Sequence, residues 1–397
     1  MPRIDSKQLW TGKLNAKAVP EFSLRHAGLY DTTLRDGEQA VGVVFEPEQK
    51  LELAHLLDEM GVDRIEAGFP RVSNDDRRAI KMILEAGLSA EVWGFSRALT
   101  EDVQAVAELG LRFTVIEAPI SDLKLEALGL SRETVMRRIT TSITQAAKEG
   151  IRVAFFGVDG SRADLDFFDR IYRAAVDAGA AEVVVVDTLG IATPELAALL
   201  VRRAVTLLGA QIPVHFHGHN DFGLATASAV AAVGAGASWL HGTVDGIGER
   251  AGNANLAQVA LALDALYGVE TNLNLGRVRR VSAMLRQLAG YQLEPWKPVV
   301  GDNLFVRETG AVAAQFHIPQ AIEPYSSAIL ETPRKVVMGK KSGLASIRIK
   351  CEELGVLLPE EKHDSLLADV KALAIRKRGL VSDAEFLELV TGRTSRN

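Results

Sequence analysis

The sequence predicts a closed (β/α)8 TIM barrel followed by a small C-terminal extension and a helical subdomain, and three observations carry that prediction. From Gly28 to about Leu263, short apolar runs alternate eight times with longer amphipathic stretches. Repeated β-α units require parallel strands, and eight of them close a barrel. Polar residues cluster at or just past the ends of the runs, where a barrel gathers its chemistry on one face and an open sheet scatters it along a line. After about Asp264 the rhythm stops.

Taken in order, the first run is GLYDTT from Gly28, leading into Arg35 and Asp36. The stretch EPEQKLELAHLLDEMG that follows spaces its apolar residues as a helix does. VDRIEAGF from Val62 carries Glu66, and AEVWGF from Ala90 ends just before Arg97. RFTVIEA from Arg112 is a strand from which no candidate is drawn. IRVAFFGV from Ile151 runs into Asp159, and AEVVVVDT from Ala181 into Asp187 and Thr188. PVHFHGH from Pro213 holds His217 and His219, and SWLHGTVDG from Ser238 leads to the GIGERAGN loop, Gly246 to Asn253. The expected division is a barrel domain over 25–275, an irregular linker over 276–346 and a helical subdomain over 347–397. PWKPVVGDN and GKKSG make the linker turn-rich, EEKHDSLLADVKALAIRKRG reads as helix, and the final TGRTSRN is expected to fray. The first two dozen residues read as an arm without a motif.

Composition narrows the function. With 397 residues, 47% hydrophobic, the chain can bury a large core. A net charge of -6 leaves no basic arm for nucleic acid. No run reaches the length of a membrane helix, and MPRIDSKQLW lacks a signal peptide's apolar centre, so a cytoplasmic protein is expected. The single cysteine, Cys351, rules out an internal disulfide and cysteine-based zinc motifs, and its charged helical surroundings argue against a nucleophile.

The candidate chemistry is a divalent metal site. A strand's period of two points His217 and His219 the same way, and Asp36 supplies a carboxylate that closes one face of the ion. Open positions then remain for a substrate carbonyl, which the metal polarises as a Lewis acid, pointing to an enzyme and not a structural metal. A lone HxH in a strand is more often incidental; the acid after the first strand and Asn253 in the last loop are what strengthen it. His215 shares the phase but lies deeper, as a core histidine or a support for the ligands. Arg35 reads as the holder of a carboxylate or a developing oxyanion. The glycines at 246, 248 and 252 suit plain turns, but with Glu249, Arg250 and Asn253 among them the loop reads as a flexible active-site lid. Thr188 is either a helix cap or a substrate contact. Ser161 and Arg162 read as cap and surface charge, and Lys340 and Lys341 as a solvated turn or a phosphate contact.

Together, DTTLRDGEQ, HGHNDFGLA and GIGERAGN resemble the 2-isopropylmalate, homocitrate and citramalate synthase family, a metal-dependent group that also includes hydroxymethylglutaryl-CoA lyase. The resemblance runs from Tyr30 to the GKKSG turn. It implies a catalytic role for Arg35 and a lid glutamate in Glu249, also catalytic. It also implies metal ligation by Asp36, His217, His219 and Asn253, and contact with a 2-oxo acid by Thr188. Gln39 and Arg97 join Arg35 and Thr188 as substrate-binding candidates. The lid lacks the cysteine that lyases carry. The implied reaction is a Claisen condensation of acetyl-CoA with a 2-oxo acid on magnesium, manganese, zinc or cobalt, giving a 2-substituted malate and CoA. A homodimer paired through the C-terminal extension is implied as well.

The chain also departs from that family. FTHEAGIH, with a histidine that helps remove the acetyl proton, becomes FVRETGAV here, with Arg307 and Val312 at the histidine positions, and GKHSG becomes GKKSG. Another base, such as Glu249, Glu308 or His317, or a shift to lyase or aldolase chemistry, follows; a binding relative without catalysis is the remaining alternative. Ala154 and Phe156 stand where 2-oxoglutarate-specific members carry arginine and serine, so an apolar or differently anchored 2-oxo acid is expected. PWKPVVG and the brief C-terminus run closest to the short homocitrate synthases of nitrogen fixers, and feedback inhibition of the leucine type is not expected.

Overall fold

The computed structural model describes residues 4–18 and 22–394, and its centre is a closed barrel of eight strands in sequence order. They are β1 Gly28–Asp31, β2 Arg64–Gly68, β3 Glu91–Arg97, β4 Phe113–Pro119, β5 Arg152–Val158, β6 Glu182–Asp187, β7 Val214–Gly218 and β8 Trp239–Gly242. All neighbours are parallel, and β8 closes on β1 with Gly28 opposite Trp239 and Asp31 opposite Gly242. Each of the eight predicted runs coincides with one of these strands, with β3 and β4 running on past the predicted ends to Arg97 and Pro119.

Local chemistry sets the helices between them. The first barrel helix, Pro47–Met60, starts with a capping box between Glu46 and Gln49 and a proline in its first turn, and stops at Gly61 in the left-handed region. Thr193, not Thr188, caps Pro194–Leu208 by accepting a hydrogen bond from the Leu196 amide, which corrects the cap reading of Thr188. Because helices cover the outside and side chains fill the inside, β6 is buried along its whole length, and its EVVVVD reads as a continuous apolar run.

The lumen is layered. At the N-terminal ends of the strands, Arg64 is bidentate to Glu182 at 2.6 and 3.1 Å, and Glu182 also accepts from His215 Nε2 at 2.5 Å. Arg64 lies over the Trp239 ring, its Cζ 3.4 Å from the centroid. His215 is therefore a core histidine. A middle layer of Tyr30, Trp93, Phe95, Val115, Ala154, Phe156, Val184 and Val186 packs above. The C-terminal ends carry the polar candidates.

Two compact units emerge, Lys13–Gln292 and Leu293 onward joined by Ile4–Gly12. The expected boundary at 275 and 276 falls inside the first, because helix Val278–Ala289 buries Val278, Val281 and Leu285 and packs on Pro47–Met60. The expected boundary at 346 and 347 falls inside the second, because Met338 shares one core with Ile347, Cys351, Leu366, Val370 and Phe386. Part of the supposed arm is also structured: the Trp10 amide donates to Pro324 O at 2.8 Å, within the second unit. Of the other arm residues, 1–3 and 19–21 lie outside the described residues, as do 395–397 of TGRTSRN, whose earlier part continues helix Asp383–Thr394. No helix among the described residues is long and apolar enough to cross a membrane.

Candidate metal centre and active site

Strand β7 alternates in and out, so His215, His217 and His219 rise along one wall of the lumen, with His219 just beyond the strand end. Asp36 reaches the same point from the turn after β1, whose backbone folds back so that the amides of Arg35, Asp36 and Gly37 all donate to Thr32 O. The candidate ligand atoms of Asp36, His217 and His219 lie within 4.8 Å of one another, and all three residues are buried. Asp36 Oδ2 is 3.2 Å from His217 Nε2 and 3.8 Å from His219 Nε2, and the two imidazole nitrogens are 3.4 Å apart.

The protonation states suit a cation. Burial alone would raise the Asp36 carboxyl, but Arg35 and His217 overcome it and hold the group well below the usual carboxylate range. Burial, with His217 nearby, pushes His219 down to about 4, leaving its imidazole neutral near pH 7. Asp36 Oδ1 and Asn253 Oδ1 are buried without a hydrogen-bond partner. An ionised carboxylate and two imidazoles converging in a buried place are a donor set that fits a divalent ion.

Asn253 is brought there by the last loop. A backbone bridge joins it to His219, and its Nδ2 donates to Ile247 O at 3.2 Å, which leaves Oδ1 buried without a partner. Gly252 makes this fold-back possible: its φ is +84°, and a Cβ there would strike the Gly246 carbonyl. Arg250 pins the loop, with Nε 2.9 Å from Asp221 Oδ1 and Nη2 2.6 Å from Thr188 O. The expected lid is thus tethered. Glu249 pairs with Arg250 at 3.2 Å with its side chain 54% exposed, so it stands on the rim and not in the buried cluster.

Arg35 is held by three contacts. Its Nε donates to Glu66 at 2.5 Å, its Nη1 is 3.5 Å from Asp36, and its Cζ lies 4.1 Å above the Phe95 ring. Burial would lower its pKa, but Glu66 and Asp36 keep it charged, and buried Nη2 has no partner. Such a fixed donor suits a carboxylate or oxyanion. Thr188 Oγ1 accepts from the Asp159 amide at 2.7 Å, leaving its own O–H to donate. Gln39 is exposed and, with Arg35, Leu34, Phe69 and Val72, lines a cavity of about 370 Å³. Arg97 is tied to Asp102 by two hydrogen bonds of 2.8 and 3.0 Å and stays on the rim.

Some residues came without warning. Ser161 donates to Asp187 and Arg162 pairs with buried Asp159, so these are internal ties and not a cap and a surface charge. Asp221, which holds Arg250, lay in the quoted HGHNDFG motif with no role attached. Glu117, on the inward phase of β4 two residues past Val115, was also passed over, though a charge on that phase is itself the signal. In the C-terminal unit Arg307 donates to Leu304 O and Val306 O, a structural use of that side chain.

The fold is that of a parallel eight-stranded barrel, and the chain belongs to the HMGL-like family, whose pattern matches residues 27–285. It is 42% identical over 377 residues to homocitrate synthase AksA of Methanopyrus kandleri, covering 94% of each chain. It is 36% identical over 363 residues to 2-isopropylmalate synthase 2 of Caldanaerobacter subterraneus, covering 91% of this chain and 94% of that one. Among solved structures it resembles the HMG-CoA lyase of Bacillus subtilis, with a TM-score of 0.62 over 69% of this chain and 97% of that one. At 18% identity that likeness speaks to the fold alone.

Proposed function

We propose that the protein is a divalent-metal-dependent acyltransferase that condenses acetyl-CoA with a 2-oxo acid to give a 2-substituted malate, such as homocitrate or isopropylmalate, and free CoA. The observation that carries this reading is the convergence of Asp36, His217 and His219, beside the fixed cation of Arg35 and next to a loop whose Asn253 oxygen is buried and unpartnered. The synthase names of the full-length relatives support it.

Asp36, His217, His219 and Asn253 would hold the ion, which when bound supplies Lewis acidity toward the 2-oxo acid. Arg35 holds the acid's carboxylate or the oxyanion as charge grows there, with no cost of reorienting because Glu66 and Phe95 already fix it. The Thr188 hydroxyl donates to the same carboxylate. Glu249 and Gln39 act at the rim, and Arg97 supplies positive charge where the anionic substrates enter. Phe156, 5.1 Å from the His217 ring, and Ala154 put apolar surface where the acid's side chain would extend, which supports an apolar or differently anchored 2-oxo acid. A cytoplasmic homodimer completes the reading; sedimentation tests the dimer.

The experiment is thiol release from acetyl-CoA with 2-oxoglutarate, 2-oxoisovalerate, pyruvate, oxaloacetate and glyoxylate, each with and without manganese or magnesium. Metal-dependent release with one acid is expected. The substitution of Arg307 and Val312 for histidines favours the reverse bond change, a lyase or aldolase. Release of a 2-oxo acid from a 2-hydroxy acid thioester, with silence across the panel, would replace the first reading with the second.

A further inference from the structure

Among the described residues, one carboxylate at the mouth of the barrel makes no hydrogen bond or ion pair through its side chain. Strand ends and loops bring several acids there, and nearly all are engaged. Asp36 lies in the ligand cluster, and Glu66 holds Arg35 and the Tyr30 hydroxyl. Asp159 pairs with Arg162, Asp187 accepts from Ser161 and two backbone amides, and Glu249 and Asp221 pair with Arg250. Glu117, at the C-terminal end of β4, hydrogen-bonds and ion-pairs through its side chain with none of the described residues.

Its position is inward and high. On β4 it follows Val115 of the lumen core by two residues, and it stands in register with Arg97 on one side and Phe156 on the other. Phe156 packs on Phe95 and on the His217 ring, so Glu117 borders the aromatic floor on which the metal cluster and Arg35 also stand. The charged groups facing it are Arg35 from the β1 end, Glu66 from β2, Arg97 from β3 and Lys124 from the helix after β4; β5 presents Phe156. Burial pushes its carboxyl up to about 7, against the pull of Arg35 and Arg97. A carboxylate that is unpaired, inward and balanced near neutrality is suited to take a proton and give it back.

The proposed condensation needs such a group. Of the alternatives raised by the loss of the histidines, Glu249 is on the rim in an ion pair, the Glu308 carboxylate accepts from the Lys341 amide and side chain, and His317 is exposed in the C-terminal unit.

We propose that Glu117 is the base that removes the methyl proton of the acetyl thioester, a step that rests on the synthase reading above. The methyl C–H bond breaks and its proton passes to a Glu117 carboxylate oxygen. The electron pair left behind forms the new C–C bond to the ketone carbon of the 2-oxo acid, whose C=O pair becomes an alkoxide. Glu117 returns the proton to that alkoxide and is again a carboxylate. Water then cleaves the C–S bond, giving the free thiol and a carboxylate.

The test compares manganese-loaded wild type, Glu117→Gln and Glu117→Asp with acetyl-CoA and whichever 2-oxo acid the wild type uses, reading kcat, KM and the isotope effect from trideuterated acetyl-CoA across pH. For Glu117→Gln, with manganese binding retained, kcat is expected to fall at least about 100-fold while each KM stays within about 3-fold. The isotope effect is expected to rise, and the acid limb of kcat near pH 7 to vanish. Glu117→Asp is expected to recover part of the rate with a displaced limb, and it carries the test if the glutamine variant does not fold. A glutamine variant within about 3-fold of wild type in kcat, a loss confined to KM, or an aspartate variant with an unmoved limb overturns the assignment. A wild type silent with every acid overturns the synthase reading and takes this step with it.

Discussion

The two ends of the barrel lumen are both buried and charged, yet they are built on opposite terms. At the lower end, Glu182 accepts from Arg64 and His215 and pairs with Arg152, and Arg64 Nε, buried without a hydrogen bond, still stands in an ion pair 2.8 Å from Glu91. Burial would raise the Glu182 carboxyl, but His215 and Arg64 draw it well below its ordinary range. At the upper end Asp36 Oδ1, Asn253 Oδ1 and Arg35 Nη2 are buried with no partner. Unsatisfied buried polar groups cost free energy, so a fold that completes its ion pairs at one end and leaves them open at the other has reserved the open end for something else. Between them His241, stacked on Tyr30 at 4.1 Å and bonded to His215 at 3.0 Å, still has one nitrogen without a partner, so the change is gradual.

Substitutions at each end test that contrast. The largest effect belongs to the upper one: Asp36→Ala or His217→Ala is expected to lower turnover by at least about 1,000-fold and to abolish metal binding, while the melting temperature of the metal-free protein stays near wild type. A marked drop in metal-free melting would mean the cluster is structural. The lower end is expected to behave in reverse. Glu182→Leu strands Arg64, Arg152 and His215 and is expected to destabilise the barrel by about 3–5 kcal/mol in denaturant unfolding, with kcat of the folded fraction little changed.

The smallest effect sharpens the comparison through pH. Because burial depresses His219 from 6.5 to about 4, the folded chain binds fewer protons there than the unfolded chain between those values. That contribution is fully present above pH 6.5 and is lost as pH falls toward 4, amounting to about 3 kcal/mol for this group alone. The His219 imidazole resonance of metal-free protein should therefore move only near pH 4; a midpoint at 6.5 would contradict the buried, neutral ligand.

How much of this was legible in the sequence depends on whether a residue's role is set by local period or by distant partners. The barrel was legible because each strand and helix announces itself over five to fifteen residues, and HxH put two imidazoles on one wall by the strand period alone. The Arg250 tie to Asp221 and the Thr188 carbonyl joins three loops far apart in sequence, and no period reveals it. Glu117 was within reach, since its phase follows from Val115, but a lone charge in RFTVIEA carries no motif. Thr188 and Thr193 were indistinguishable as caps until the helix start fixed which one meets an amide. The boundary expected at 275 and 276 falls inside the first unit because Val278–Ala289 follows the end of the β-α rhythm yet packs on Pro47–Met60.

The most direct measurement of the contrast between the two ends is manganese titration of chelator-stripped protein, followed by electron paramagnetic resonance, for wild type, Asp36→Ala and Glu182→Gln. One ion per chain is expected in wild type and in Glu182→Gln, and none in Asp36→Ala. Binding that survives in Asp36→Ala, or a wild type that takes up no ion, would contradict a metal centre at the upper end of the lumen.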